Sequence, residues 1–300
     1  MYYSVDMLKL KSYPVIRTDK MIMQSTFFKS RHEKIISSLI GFNNYLELKK
    51  QDFIKYWSDT RFKYYEHNWI IEFPCGGTCF VAYKHNSQKS DSTPQLFIKF
   101  NPNKMDLSIS IYKPLIALIS QSGSNSITEV DIAVDIERSI DNLIIEKPKR
   151  LQNYKYFQSP NGKTHYYGTR SNLIKVYDKA SELGLAKGYP LTRVEFTLPV
   201  KNDRLNKADI RDINIFDIGS TQIGFNLEKE DKTLNAVVYA IYMGYDINRL
   251  TDYQRRKVKK YLHSAGTLVD IDKTKMIECF NLFVDDINNK IGTSWNQFYN

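Results

Sequence analysis

Cysteine is scarce in this chain of 300 residues. The three present, Cys75, Cys79 and Cys279, are odd in number and show no C-x-x-C spacing. That leaves no even-numbered disulfide framework and fits a reduced, cytoplasmic setting. Long apolar runs are missing as well. One apolar stretch, "YKPLIALIS", carries Lys113 and Pro114, and no run approaches the roughly 20 apolar residues that span a bilayer. No membrane partner is expected. The opening "MYYSVDMLKLKSYP" alternates polar and apolar residues, so a signal peptide is not expected either. There is no G-x-x-x-x-G-K-[ST] phosphate loop, no G-x-S-x-G serine motif, and no histidine pair at metal-ligand spacing. P-loop ATPase, serine hydrolase and histidine-metal chemistries therefore have no anchor.

What the chain does have is positive charge. Lysine and arginine exceed the acids by enough for a net charge of +10 and a pI near 9.2. A basic domain points to an anionic partner, most often nucleic acid. The chain is also rich in Lys, Asn, Ile, Tyr and Phe, the residues that AT-rich coding favours. That bias inflates both the charge and the 21 tyrosines.

Periodicity gives an α+β plan. Strands are expected at 2–10, 69–73, 79–85, 95–102, 127–136 and 190–200, with further strands in "YKYFQS", "THYYG" and "NLIKVYD". Helices are expected at 29–40, 51–58 and 110–121. The turn Pro160-Asn161-Gly162 predicts a hairpin. "KASELGLAKG" reads as a short helix that Asp178 can cap and a glycine can stop. Several strand links are too short for a crossover helix, so the sheet should be mostly antiparallel. After residue 200, "DRLNKADIRDINIFDI", "TLNAVVYAIYMGY", "TDYQRRKVKKYLHSA" and "KTKMIECFNLFVDDINNKI" all have helical spacing. The expected layout is a central sheet flanked by helices over 1–200, followed by a helical portion over 201–300.

Candidate chemistry lies on three segments. In "TEVDIAVDI", alternation puts Glu129, Asp131, Ala133 and Asp135 on one face and Val130, Ile132 and Val134 on the other. The acidic face is either a solvated face of an edge strand or a carboxylate row for a metal ion. Asp131 and Asp135 stand about 13 Å apart on a straight strand, so one ion needs a ligand from another strand. "LTRVEFTLPV" offers Glu195, on the face of Arg193 and Thr197. Such an all-oxygen site suits Mg²⁺ or Mn²⁺, and Arg193 is suited either to a phosphate or to a cross-strand acid. In "THYYG" and "NLIKVYDK", Tyr166 alternates with His165 and Tyr167, and Lys175, Tyr177 and Lys179 share one face. Tyrosine in a strand is ordinarily packing. It becomes a nucleophile when a metal-polarised phosphate or nearby cations favour phenolate. Residues 251–264 add a basic helix with Arg255, Arg256, Lys257, Lys259 and Lys260, read either as a solvated face or as phosphate contacts.

The ordered set "VDIAVD", "YYGTRSN", "KVYDKASE" and "TRVEFTL" resembles the replication-initiation-factor family, the rolling-circle initiators of plasmids and filamentous phages with their related relaxases. The match covers about residues 127–200. "FIKFNPNK" resembles an upstream family strand that ends in Asn-Pro. The resemblance implies metal-dependent, site-specific nicking and joining of one DNA strand at a replication origin, through a 5′-phosphotyrosine ester and a free 3′-hydroxyl. It implies Mg²⁺ or Mn²⁺ as cofactor, held by Asp131, Asp135 and Glu195. Tyr166 falls on the Tyr-x-Gly position, Tyr167 one residue away, and Tyr177 on the Tyr-Asp-Lys position. Arg193, Lys175 and Lys179 would face the phosphate, with Lys175 standing where the family often has arginine. Arg170 and the basic helix would contact DNA, as single strand or hairpin. Host helicase, polymerase and a second copy of the chain are the further partners implied. A relaxase of a mobile element and a non-catalytic DNA-binding regulator remain the alternatives.

Overall fold

The structure is a computed structural model. It describes residues 15–25, 30–47, 64–86 apart from Cys75, 95–105, positions 114, 115 and 118, 126–146, 148, 153–159, 162–169, 172–186, 189–201, 204–217, 232–242, 245, 247–265 and 267–298. The strand expected at 2–10, the helix at 51–58 and Arg170 lie outside the described residues. The chain divides into two compact units, each assembled from three segments.

The unit that contains residues 17–132 is built on five neighbouring strands. They are β1 (Val15–Ser25), β2 (Asn44–Glu47), β3 (Tyr65–Glu72), β4 (Thr78–His85) and β5 (Leu96–Phe100), in the order β2-β3-β4-β5-β1. Each of these ladders is antiparallel. Helix α1 (Ser30–Phe42) buries Ile36 and Leu39, three apart on one face. The turn from β3 to β4 depends on Gly77, at φ +85°. A β-carbon there would meet the carbonyl oxygen of Lys104 at 2.7 Å. Rings of His67, Trp69 and Tyr83 stack between β3 and β4, with centroids 4.6–5.6 Å apart. Asn101 caps a short 3₁₀ turn over Pro102–Lys104 by accepting from the Asn103 amide at 2.9 Å.

The unit that contains residues 133–196 and 210–273 carries the segments singled out above. Strand β6 (Ser126–Ile136) enters it at Ala133. There follow β7 (Leu143–Glu146), β8 (Tyr154–Ser159), β9 (Gly162–Thr169), β10 (Asn172–Asp178) and β11 (Thr192–Pro199). The larger sheet here runs β6-β11-β10-β9-β8. Gly162 opens β9 at φ +110° and pairs with Ser159, which makes the expected hairpin. Asp178 caps the short helix α2 (Lys179–Glu182), accepting from the Ser181 amide at 3.0 Å. The left-handed Gly184 follows two residues past the helix end.

The chain beyond residue 200 is helical in α3 (Lys232–Tyr242), α4 (Asp252–Ala265) and α5 (Lys273–Phe298). It is not wholly so. Residues read as helical in "DRLNKADIRDINIFDI" form β12 (Asn214–Asp217) instead, which pairs with β7 and with β13 (Thr267–Leu268) in a three-stranded sheet. Tertiary pairing overrides local spacing here, because Phe216 is needed in the core beneath α3 and α4. That core joins Ile144, Phe216, Val238, Ile241, Val258 and Leu262. Glu146 ties it together electrostatically. It accepts from Asn214 at 3.1 Å and from the Lys259 ammonium at 2.5 Å. Arg138, just past β6, pairs with the buried Asp217 at 2.5 Å. The fold is thus α+β, with antiparallel ladders throughout the strand pairs described. Among the described residues, no helix is long and apolar enough to cross a membrane.

Leu262 lies wholly inside the α3–α4 core, while Lys260 on the same helix is exposed. Leu262→Ala should lower stability by about 2–5 kcal/mol through lost burial and a residual cavity. Lys260→Ala should move it by no more than about 0.5 kcal/mol. Urea unfolding followed by circular dichroism checks both.

Candidate active site

Alternation and register together decide which side chains share a face. In the β9–β10 ladder, Tyr166 stands opposite Lys175 and Tyr177 opposite Thr164. In the β8–β9 ladder, Lys155 stands opposite Tyr166. Lys175 reaches across to β11 and forms an ion pair with Glu195. Glu195 shares its face with Arg193, two residues back. Arg193 in turn grips Asp135 on β6. Its Nε donates to Oδ1 at 2.5 Å and its Nη2 to Oδ2 at 2.7 Å. One face of the sheet therefore carries a continuous polar row across five strands: Asp135, Arg193 and Glu195, Lys175, Tyr166, Lys155.

At its β6–β11 end this row is not a solvated surface, while Lys155 at the other end is exposed. Arg193, Asp135 and Glu195 are 7%, 8% and 8% exposed. The edge-strand reading of the acidic face is thereby corrected: both faces of β6 are buried from Asp131 to Ile136. Charges so deeply placed persist because they are matched. The Arg193 fork and the Asp135 carboxylate satisfy each other in bidentate fashion, the strongest geometry for such a pair.

The tyrosines separate cleanly. Tyr167 is 1% exposed and packs on the opposite face, its ring stacked on Tyr154 at 5.1 Å between centroids. Its role there is packing. Tyr166 is half-buried on the face of the polar row, its ring edge-on to Phe157 at 5.5 Å. Tyr177, also half-buried, is on that face two residues beyond Lys175. Lys179 was expected to continue that face. Strand β10 ends at Asp178, so alternation stops, and Lys179 begins α2. It is buried, bonds Glu182 at 2.9 Å and lies 5.9 Å from the Tyr177 ring centre.

The expected metal ligands are only partly brought together. Asp135 and Glu195 lie on neighbouring strands of one unit, and each already holds a cation. Asp131 is buried four residues back along β6, in the segment assigned to the other unit. Among the described residues, no group of three or more His, Cys, Asp or Glu side chains is placed to hold a metal ion. Both Asp135 oxygens accept from Arg193, and one Glu195 oxygen is paired with Lys175.

The basic helix α4 also divides. Lys259 is spent on Glu146. Arg255 donates to the Leu250 carbonyl at 3.0 Å, and so closes the helix start. Arg256, Lys257 and Lys260 are exposed, with Lys257 5.0 Å from the Tyr253 ring centre. Sequence reasoning had no means to make this division, because the partners Glu146 and Leu250 are set by the fold. Lys155 was likewise missed. It sits in an unremarkable "YKYFQS", and only the ladder register places it opposite Tyr166.

No protein-family model matches this chain, and no curated protein sequence matches it. Among solved structures, the chain is similar to a rolling circle replication initiator protein from Geobacillus stearothermophilus. The two are 16% identical, with a TM-score of 0.38, and the alignment covers 62% of this chain and 75% of that one.

Truncating Arg193 leaves the buried Asp135 carboxylate uncompensated. Arg193→Ala should cost about 3–5 kcal/mol in denaturant unfolding. Arg193→Lys keeps the charge but loses the fork, and should recover only part of the loss. The double variant Arg193→Ala with Asp135→Ala should lose less than the sum of its parts.

Proposed function

We propose that this protein nicks and rejoins one strand of DNA, with Tyr166 as nucleophile, to start rolling-circle replication at an origin. The observation that supports the reading most directly is the shared face of Tyr166, Lys175, Glu195 and Arg193, which matches the order of motifs in the sequence. Tyr177 on the same face is the alternative nucleophile, and the buried Tyr167 is the least suited.

The reaction is a transesterification. The Tyr166 oxygen bonds to the phosphorus as the 3′-oxygen of the preceding nucleotide leaves. The phenolic proton is lost and the departing oxygen gains one, so the products are a 5′-phosphotyrosine ester and a 3′-hydroxyl. The reverse attack of that hydroxyl rejoins the strand, since the ester conserves the bond. Lys155 and Lys175 flank Tyr166 across its two ladders, where positive charge favours the dianionic character that develops at phosphorus. Arg193, with its planar fork, is suited to phosphate as it is to carboxylate. The exposed Arg256, Lys257 and Lys260 on α4, together with Arg170, would add sequence-independent backbone contacts.

A divalent ion, Mg²⁺ or Mn²⁺, belongs to this reading as its cofactor, with Asp135 and Glu195 as the residues to hold it. No step above depends on it. The engaged state of Asp135 and Glu195 favours a second reading, a DNA-binding regulator that does not cut. A relaxase would share the chemistry and differ only in its setting.

Single strands tiled across the DNA flanking the gene, incubated with protein and Mg²⁺ or Mn²⁺, distinguish these. The nicking reading expects a protein–DNA adduct stable to denaturation, absent in Tyr166→Phe and retained in Tyr167→Phe. An adduct that persists in Tyr166→Phe and vanishes in Tyr177→Phe moves the nucleophile to Tyr177. Salt-sensitive binding with no adduct from the wild type supports the regulator. Added EDTA should abolish the adduct if the ion is required.

A further inference from the structure

The reverse face of the β8–β9 ribbon encloses a cavity that the nicking reading does not use. Its volume is about 340 Å³. It lies wholly within the unit that carries Tyr166. Tyr154, Tyr156, His165 and Tyr245 line it, with Lys163 and Arg249 among its polar residues. The isoleucines of β7 supply apolar wall.

The rings are ordered as an array. His165 and Tyr167 are nearly parallel, with an interplanar angle of 4°. Tyr154 lies within 27° of both. Tyr156 stands 4.8 Å from His165, centre to centre, tilted by 44°. A hydrogen bond of 3.0 Å between the Tyr154 hydroxyl and His165 Nδ1 holds two of these rings in place. Tyr156 and Tyr245 are 42% and 46% exposed, so large aromatic surface faces solvent here. The charged residues of the lining are Asp141, Lys163 and Arg249, one more cation than anion. Lys163 pairs with Asp141, and Arg249 is exposed. Beside the cavity, β8 is the outer strand of its sheet, exposed along nearly its whole length.

Clustered rings, one of them exposed, and apolar walls with cations among the lining suit a flat, π-rich group joined to phosphate. We infer that this cavity binds a nucleobase of single-stranded DNA, stacked against the Tyr154–His165–Tyr156 array, with Lys163 and Arg249 toward the phosphates. The observations that carry this are the ring array, the cavity and its charge. Stacking of this kind binds bases without needing their edges, so the site tolerates sequence. Tyr166 and this cavity then use opposite faces of one two-stranded ribbon, and a strand passing over the β8 edge meets both. The inference rests on the reading that DNA is the partner, but not on nicking.

The test measures binding of a short oligonucleotide containing one 2-aminopurine, in EDTA so that no cleavage intervenes. Tyr156→Ala and Tyr245→Ala are changes at exposed positions that leave the fold intact. The expected result is about tenfold weaker binding for Tyr156→Ala, with Tyr156→Phe within about twofold of wild type and the fluorophore quenched on binding. The oligonucleotide should bind at least about tenfold more tightly than free 2-aminopurine nucleotide. Equal loss in the Phe and Ala variants would place the effect on the hydroxyl and overturn the stacking site. Wild-type affinity in both Ala variants would also overturn it, as would tighter binding of the free nucleotide. The adduct assay with the same variants keeps the two readings apart. Adduct formation with undiminished binding in Tyr156→Ala removes this site and leaves the nicking reading standing. Failure of the wild type to bind any single strand removes both.

Discussion

The candidate face depends on one buried ion pair. Arg193 and Asp135 sit on adjacent strands, each under a tenth exposed, and neither charge is tolerable there without the other. The pair sets what its neighbours can be. With Asp135 committed to Arg193, Glu195 takes Lys175, and Lys175 stands opposite Tyr166. The row is a chain of compensations, each link fixed by strand register. Register in turn is fixed by the apolar faces behind it, because a slip by one residue would exchange Arg193 and Glu195 with Val194 and Phe196, turning the charges into the apolar layer and away from their partners.

Much of this plan was legible in the sequence. The strands with clear alternation, β6, β10 and β11, were placed to within a residue or two, since a period of two is hard to counterfeit. The hairpin before β9 followed from Pro160-Asn161-Gly162, and the cap of α2 from Asp178. That Tyr166 and Tyr167 face opposite ways was also readable. Which of them shares the face of Glu195 was not, because that requires knowing that β10 lies between β9 and β11.

The misses have a common cause. Asn214–Asp217 looked helical because Ile210, Ile213 and their neighbours recur at helical spacing, yet β7 offered an edge that pairing could use. Lys179 looked like the next member of a strand face, but the strand ended one residue earlier. Lys259 and Arg255 counted as DNA-facing charge, but they close contacts inside their own unit. Each error came from a local rule met by a distant partner. The acids read as metal ligands show the same dependence on register: Asp135 meets Arg193 and Glu195 meets Lys175.

Tyr166 stands in the middle of β9, bonded on one side to β8 and on the other to β10. Its backbone is pinned by two ladders, and only rotation about its side-chain bonds is left to it. Any group esterified to that oxygen is therefore fastened to a rigid plate rather than carried on a swinging arm. A strand end held there, as proposed, would not be carried to a new partner. In the proposed reaction, the partner would have to come to it.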